Sequence, residues 1–188
     1  MKRLFNIICV LFLLLVSCQK DNKMTLNPTK EISNEIITYY KDYSTPISYD
    51  FVIDSKNVDY ELIQYELING KWSNPLNFFG YRLNNSKGSF ALIPEFEPEH
   101  MAITTIEGSI DNGYRSFGTG YDIDNRIFQY ISLNEEVNIE YEKEIPILIQ
   151  IKSDNKINLT FNSNINELSK QLKDYEEVYL ITVKFTKY

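Results

Sequence analysis

Between Val137 and Phe185 apolar residues return at every second position, and that period limits the fold more than any other feature of the chain. Val137, Ile139 and Tyr141 alternate with Asn138 and Glu140. Ile145, Ile147, Ile149 and Ile151 share one face of a second run, and Ile157, Leu159 and Phe161 alternate with Asn158 and Thr160 in a third. Tyr179, Ile181, Val183 and Phe185 make a fourth. Successive side chains of a strand point to opposite faces, so a period of two marks strands packed on at least one side. Leu148 adds an apolar residue to the other face of 145–151, which predicts a central strand. Only residues 163–173 break the period. Ile165, Leu168 and Leu172 recur there at helical spacing, behind Ser163 or Asn164 as N-cap.

The same period governs the middle of the chain. Tyr49, Phe51 and Ile53 alternate with Asp50 and Asp54. Residues 60–68 fit a helix or a strand by pattern alone. Asn69-Gly70 decides for a strand, because that dipeptide favours a two-residue hairpin turn leading back through Lys71-Trp72-Ser73. Leu76 to Leu83, Ser89 to Ile93 and Met101 to Ile106 are further strands, with Asp111-Asn112-Gly113 predicted as a turn between Ile110 and Tyr114. Nearer the N-terminus, Asn27-Pro28 followed by Ile32, Ile36, Tyr39 and Tyr43 predicts an amphipathic helix over 28–42. The expectation is a mainly β, antiparallel domain over 28–188, a sandwich or a barrel. It carries an N-terminal amphipathic helix and a short helix before the last strand.

The first residues concern address rather than fold. Met1-Lys2-Arg3 is basic, and Ile7 to Val16 is an apolar run of ten residues. A membrane-spanning helix needs about 20, so the run fits the core of a secretory signal. It ends in Leu15-Val16-Ser17-Cys18. That tetrad resembles the lipobox of bacterial lipoproteins: aliphatic, small or aliphatic, small, cysteine. The resemblance implies cleavage between Ser17 and Cys18, removal of 1–17, and a diacylglycerol thioether on Cys18. It also implies a place on the extracytoplasmic face of the cell membrane or outer membrane. Two acyl chains anchor firmly where one does so only marginally. A Lys-acid pair at Lys20-Asp21 resembles the surface-export signal of some Bacteroidetes lipoproteins. Residues 18–27 are then lipidated cysteine and polar tether.

Removal of 1–17 leaves 171 residues, enough for one domain with a real core. Cys9 leaves with the signal, so the mature chain offers no pair of thiols for a disulfide. Loss of Lys2 and Arg3 takes the formal charge from −7 to −9. That balance argues against nucleic acid as a partner and against electrostatic adhesion to anionic lipid. It leaves the lipid anchor as the membrane contact and a cationic partner as a weak preference.

The residues expected for chemistry are sparse. His100, the single histidine, follows Glu95, Glu97 and Glu99 in a loop stiffened by Pro94 and Pro98, and its plainest role is that of a solvated loop residue. Alternate acids with one histidine are a formal cation set that matches no known spacing. Asp122-Ile123-Asp124-Asn125 has the opening of a calcium loop without its glycine or distal glutamate. Gly118-Thr119-Gly120 lacks the rest of a phosphate loop, and no Gly-x-Ser-x-Gly elbow occurs. No cofactor and no catalytic set is expected. Trp72, Phe78, Phe79 and Tyr81 are candidate binding aromatics, since aromatic platforms hold sugars and proteins, although aromatics more often fill cores. Phe78 and Phe79 are adjacent and fall on opposite faces of a regular strand. The reading is a non-catalytic binding domain for a protein, peptide or glycan. The alternatives are an immunity lipoprotein that intercepts a toxin or antimicrobial peptide and, less favoured, an envelope-polymer hydrolase.

Overall fold

The computed structural model describes residues 23–29, 46–94, 100–107, 110–118, 128–153, 157–175 and 177–188. Its strands are β1 (Thr25–Thr29), β2 (Ile47–Val52), β3 (Val58–Ile68), β4 (Lys71–Trp72), β5 (Leu76–Leu83) and β6 (Lys87–Pro94). They continue as β7 (His100–Glu107), β8 (Ile110–Gly118), β9 (Phe128–Ser132), β10 (Val137–Asn138), β11 (Glu144–Lys152) and β12 (Glu177–Lys187), with helix α1 (Ile165–Leu172) before the last strand. One sheet has the order β10-β1-β2-β6-β7-β8. The other runs β4-β3-β12-β11-β9, with β5 also on β3. Every pairing is antiparallel. Among the described residues neither sheet closes, so the architecture is a sandwich and not a barrel.

Aromatic residues bring the two sheets together. Tyr49 and Phe51 of β2, Phe90 of β6, Tyr60 of β3 and Phe185 of β12 are essentially solvent-free. The Tyr60 ring stacks on Phe90 with centroids 5.2 Å apart, and Phe51 meets Phe185 at 6.0 Å. Leu26, Leu62, Leu92, Ile147, Leu148, Ile181 and Val183 complete this first core. The Tyr49 hydroxyl donates to the Ile147 carbonyl at 2.5 Å, and the Leu133 amide donates to the same oxygen at 2.9 Å. The buried phenol thus has a partner, as a polar group deep in a core requires.

A second core lies on the outer face of the β3–β12–β11 sheet. Leu67, Ile149, Ile151, Val178 and Leu180 meet Leu168 and Leu172 of α1 there. Consequently β12 is buried on both faces from Val178 to Val183. Asn164 caps the helix, its side chain accepting from the Asn166 and Glu167 amides at 3.0 and 3.4 Å. The helix expected at 163–173 is therefore present, with Asn164 as the cap and Leu168 and Leu172 inward.

Several expectations are corrected by the pairing. Residues 25–29 are strand, so no helix starts at Pro28 and the tether ends before Thr25. The remainder of 28–42 lies outside the described residues. Pro28 pairs with Tyr49 beyond the reach of β10, so among the described residues β1 has a single neighbour there. That edge setting tolerates a residue without an N–H. The isoleucine row of β11 is not one face. A register shift between Pro146 and Leu148 sends Ile145 and Ile147 into the first core and Ile149 and Ile151 into the second. An extra residue reverses the facing of everything after it, because side-chain direction has a period of two.

Asn112-Gly113 is inside β8 rather than at a turn. Thr104 pairs with Tyr114 and Ile106 with Asp111, so two residues of β8 oppose one of β7 in a bulge. Ile157, Leu159 and Phe161 form no strand, yet they are partly buried against the second core. Their alternation reports burial without a ladder. Asn69-Gly70 makes the predicted hairpin: Ile68 pairs with Lys71, and both turn residues have positive φ, 51° and 74°.

Candidate functional site

The residues singled out in the sequence do not assemble into one surface. Trp72 is partly buried in the second core, and its indole N–H donates to the Ile165 carbonyl at 3.0 Å, tying β4 to the start of α1. Phe79 is in the first core, 5.6 Å from the Tyr60 ring, and Tyr81 packs half-buried beside it at 6.0 Å. Trp72 and this pair thus serve cores on opposite faces of one sheet. Leu62 pairs with Phe79 and Ile63 with Asn77, so Phe78 is the extra residue of a bulge in β5. His100 opens β7 opposite Gly118. Ser17, Cys18, Glu95, Glu97, Glu99 and the Asp122–Asn125 stretch lie outside the described residues. Among the described residues no group of three or more His, Cys, Asp or Glu side chains could hold a metal ion.

Polar side chains that the sequence did not mark gather in two places. Register brings them together, and no local motif announces them. On the outer face beyond α1, β3, β12 and β11 set Tyr65, Thr182 and Glu144 side by side. The Tyr65 hydroxyl lies 2.8 Å from both Glu144 carboxylate oxygens, and the Thr182 hydroxyl donates to Glu144 Oε2 at 2.7 Å. Lys184 pairs with Glu61 at 2.9 Å in the same face. Burial, and then the bond to Glu144, push the Tyr65 phenol well above its ordinary range. Glu61, followed by burial acting the other way and the charges of Glu142 and Glu144, holds the Lys184 ammonium above its usual value. Arg82 closes the row with a two-point contact on Asp59, at 2.9 and 3.3 Å. The guanidinium also lies over the Tyr188 ring, 4.7 Å from its centroid.

The second gathering is at the end of the sandwich where β2 turns into β3. Tyr141 donates to Asp54 Oδ1 at 2.5 Å, with the Ser55 hydroxyl 3.3 Å from the Tyr141 oxygen. Lys187 approaches Asp54 at 3.6 Å and lies 5.4 Å over the Tyr141 ring. The Tyr141 bond is the largest of the influences that lower the Asp54 carboxyl below its usual value. Glu142 holds this turn with φ of 63° while its amide donates to the Phe185 carbonyl at 2.9 Å. At the opposite end Lys152 is buried and lies 3.2 Å from both carboxylate oxygens of Glu177.

The pKa values of Asp54 and Asp59 move down, while those of Tyr49, Tyr65, Tyr130, Tyr141, Lys184 and Arg82 move up. Among the described residues each of these groups moves away from neutral pH. Each of these networks joins charges or polar groups to one another, an arrangement suited to fixing the shape of a surface.

No curated protein and no solved structure matches this chain. A family model described as the YgaN domain matches residues 48–185, which run from β2 to near the end of β12 and include α1. That span is well over half of the 188 residues and takes in most of both sheets, so the chain belongs to the YgaN domain family.

Proposed function

We propose that this protein is a bacterial lipoprotein whose β-sandwich works outside the cytoplasm as a non-catalytic binding domain. The observation that carries the anchor is the tetrad Leu15-Val16-Ser17-Cys18 at the end of a ten-residue apolar run behind Lys2-Arg3. Cys18 receives the diacylglycerol, Ser17 is the last residue removed, and the mature domain stays on the extracytoplasmic face of a cell or outer membrane. Among the described residues the shifted groups all move away from neutral pH, which supports binding over catalysis. The ligand is a protein, peptide or glycan. The formal charge of −9 after cleavage favours a cationic one, the class to which an intercepted toxin or antimicrobial peptide would belong.

Two measurements test this. Mass spectrometry of the N-terminal peptide of the protein purified from bacterial membranes should show cleavage before Cys18 and the added lipid. Cys18→Ala should leave an unprocessed chain without lipid, and an unmodified Cys18 in the wild type would refute the anchor. Crosslinking in the native envelope should then recover a stoichiometric partner. Hydrolysis of envelope polymers by the purified domain would overturn the non-catalytic reading.

A further inference from the structure

We infer that the membrane faces one particular end of the sandwich, formed by the β2–β3 turn, the β10–β11 turn and the end of β12, and that the Asn69-Gly70 hairpin points away from the bilayer. This rests on the lipid anchor at Cys18 proposed above, and adds a surface, its lipid partner and the orientation of everything else.

The argument starts from where the chain enters the fold. β1 begins at Thr25, which pairs with Val52 at the end of β2 and with Asn138 of β10. The Ile139 amide donates to the Met24 carbonyl at 3.0 Å, fixing the entry point one residue earlier. Val52 is followed at once by the β2–β3 turn that holds Asp54 and Ser55, and Ile139 by the turn that holds Tyr141 and Glu142. Both turns therefore lie at the entry end. From there β3 runs to the hairpin at Asn69-Gly70, and β11 runs toward Lys152. Ten residue steps along β3 at about 3.3 Å each put the hairpin about 33 Å from the entry end. Seven residue steps from Cys18 to Thr25 reach at most about 25 Å even when fully extended. The tether is shorter than the domain is long, so the hairpin end can come nearer to the lipid only where the tether doubles back along the sandwich, and every other path keeps the entry end closer.

The charges of that end suit a headgroup surface. Lys23, Lys56, Lys143 and Lys187 stand there with Asp54, Glu135, Glu136, Glu140 and Glu142, and Lys87 opens β6 opposite Val52, five of each sign in a mature chain of net −9. Lys23 pairs with Glu136, Lys143 with Glu140, and Lys187 with Asp54. A locally neutral end can rest against anionic headgroups without the repulsion that the chain's net charge would bring. The hairpin and α1 beside it are then the parts presented to a partner. Gly70 sits against Lys173, just past the helix, where an added Cβ would meet Lys173 Cβ at 3.6 Å.

Energy transfer tests the orientation. With Cys9 removed and Cys18 alkylated by lipid, an introduced cysteine is the only thiol available to a dye. Lys56→Cys and Lys143→Cys place a donor at the entry end, and Lys71→Cys and Lys173→Cys place one at the hairpin end; all four positions are exposed. The purified lipidated protein is inserted into phosphatidylethanolamine–phosphatidylglycerol vesicles carrying a headgroup acceptor dye. For a separation of about 33 Å, transfer from both entry-end positions should exceed that from both hairpin-end positions by about twofold or more. Equal or reversed transfer in a protein whose Cys18 lipid is verified by mass would overturn the orientation and leave the anchor standing. A protein without that lipid would overturn the anchor, and the orientation with it.

Discussion

Replacing Leu168 by alanine tests whether α1 is part of the fold's stability or merely rests on it. Leu168 is solvent-free between Leu67, Ile149, Ile151, Val178 and Leu180. The substitution removes three carbons, and at about 0.8 kcal/mol for each buried methylene the transfer loss is about 2.4 kcal/mol. The cavity adds to this, because β11 and β12 are fixed by their ladders and cannot collapse inward. Measured Leu→Ala losses at such sites run from about 2.7 to 5.0 kcal/mol, so about 3 to 4 kcal/mol is expected here. That is a large part of a typical total of roughly 5–15 kcal/mol.

Urea unfolding followed by circular dichroism measures the loss. With a slope of about 2 kcal/mol per molar, the midpoint should fall by about 1.5–2 M at unchanged slope. The chain offers an internal reporter, since Trp72 is its single tryptophan and its indole is bonded to Ile165. Emission should shift to the red in Leu168→Ala before the main transition, as the first turn of α1 loosens. Lys170→Ala, on the exposed side of the same helix, should change neither by a comparable amount. A loss under about 1 kcal/mol with unchanged Trp72 emission would refute the docking of α1 and the second core with it.

Three further outcomes follow from the same structure. Gly70→Ala should cost about 1 kcal/mol in thermal unfolding. Its φ of 74° is unfavourable for any residue with a Cβ, whereas the 3.6 Å contact with Lys173 is ordinary packing. Tyr49→Phe should cost about 1 kcal/mol of stability and no more, because the Ile147 carbonyl keeps the Leu133 amide and is not orphaned; a loss above about 3 kcal/mol would point to a larger role for that hydroxyl. Asp59, whose carboxyl is held down first by the Arg82 hydrogen bond, has a lower pKa folded than unfolded. Its contribution is therefore present above the unfolded value near 4 and lost as pH falls below it. Asp59→Asn should flatten the decline of stability in that acid window, and an unchanged slope would dismiss the pair as a contributor.

The sequence by itself determined the fold class and most of the strands. A period of two is a direct consequence of how side chains leave a strand, so Tyr49-Phe51 and Ile181-Val183-Phe185 announce their inward faces without reference to any neighbour. The Asn69-Gly70 turn was legible and the cap was narrowed to Ser163 or Asn164, because positive φ and an exposed helical amide are local demands that particular residues meet. Asn27-Pro28 carried a helix signal of the same local kind, and pairing with β2 overrode it. Tertiary structure alone decided what depends on register. The bulge at Pro146–Leu148 divides one isoleucine row between two cores, and nothing in the row's own composition marks the break. The bulges at Phe78 and Asn112-Gly113 are of the same nature. The partnership of Tyr65, Thr182 and Glu144 joins residues up to 117 positions apart through strand neighbours. Pattern reports which way a side chain faces; only pairing decides what it faces, because the register of one strand is set by all the others it must fit.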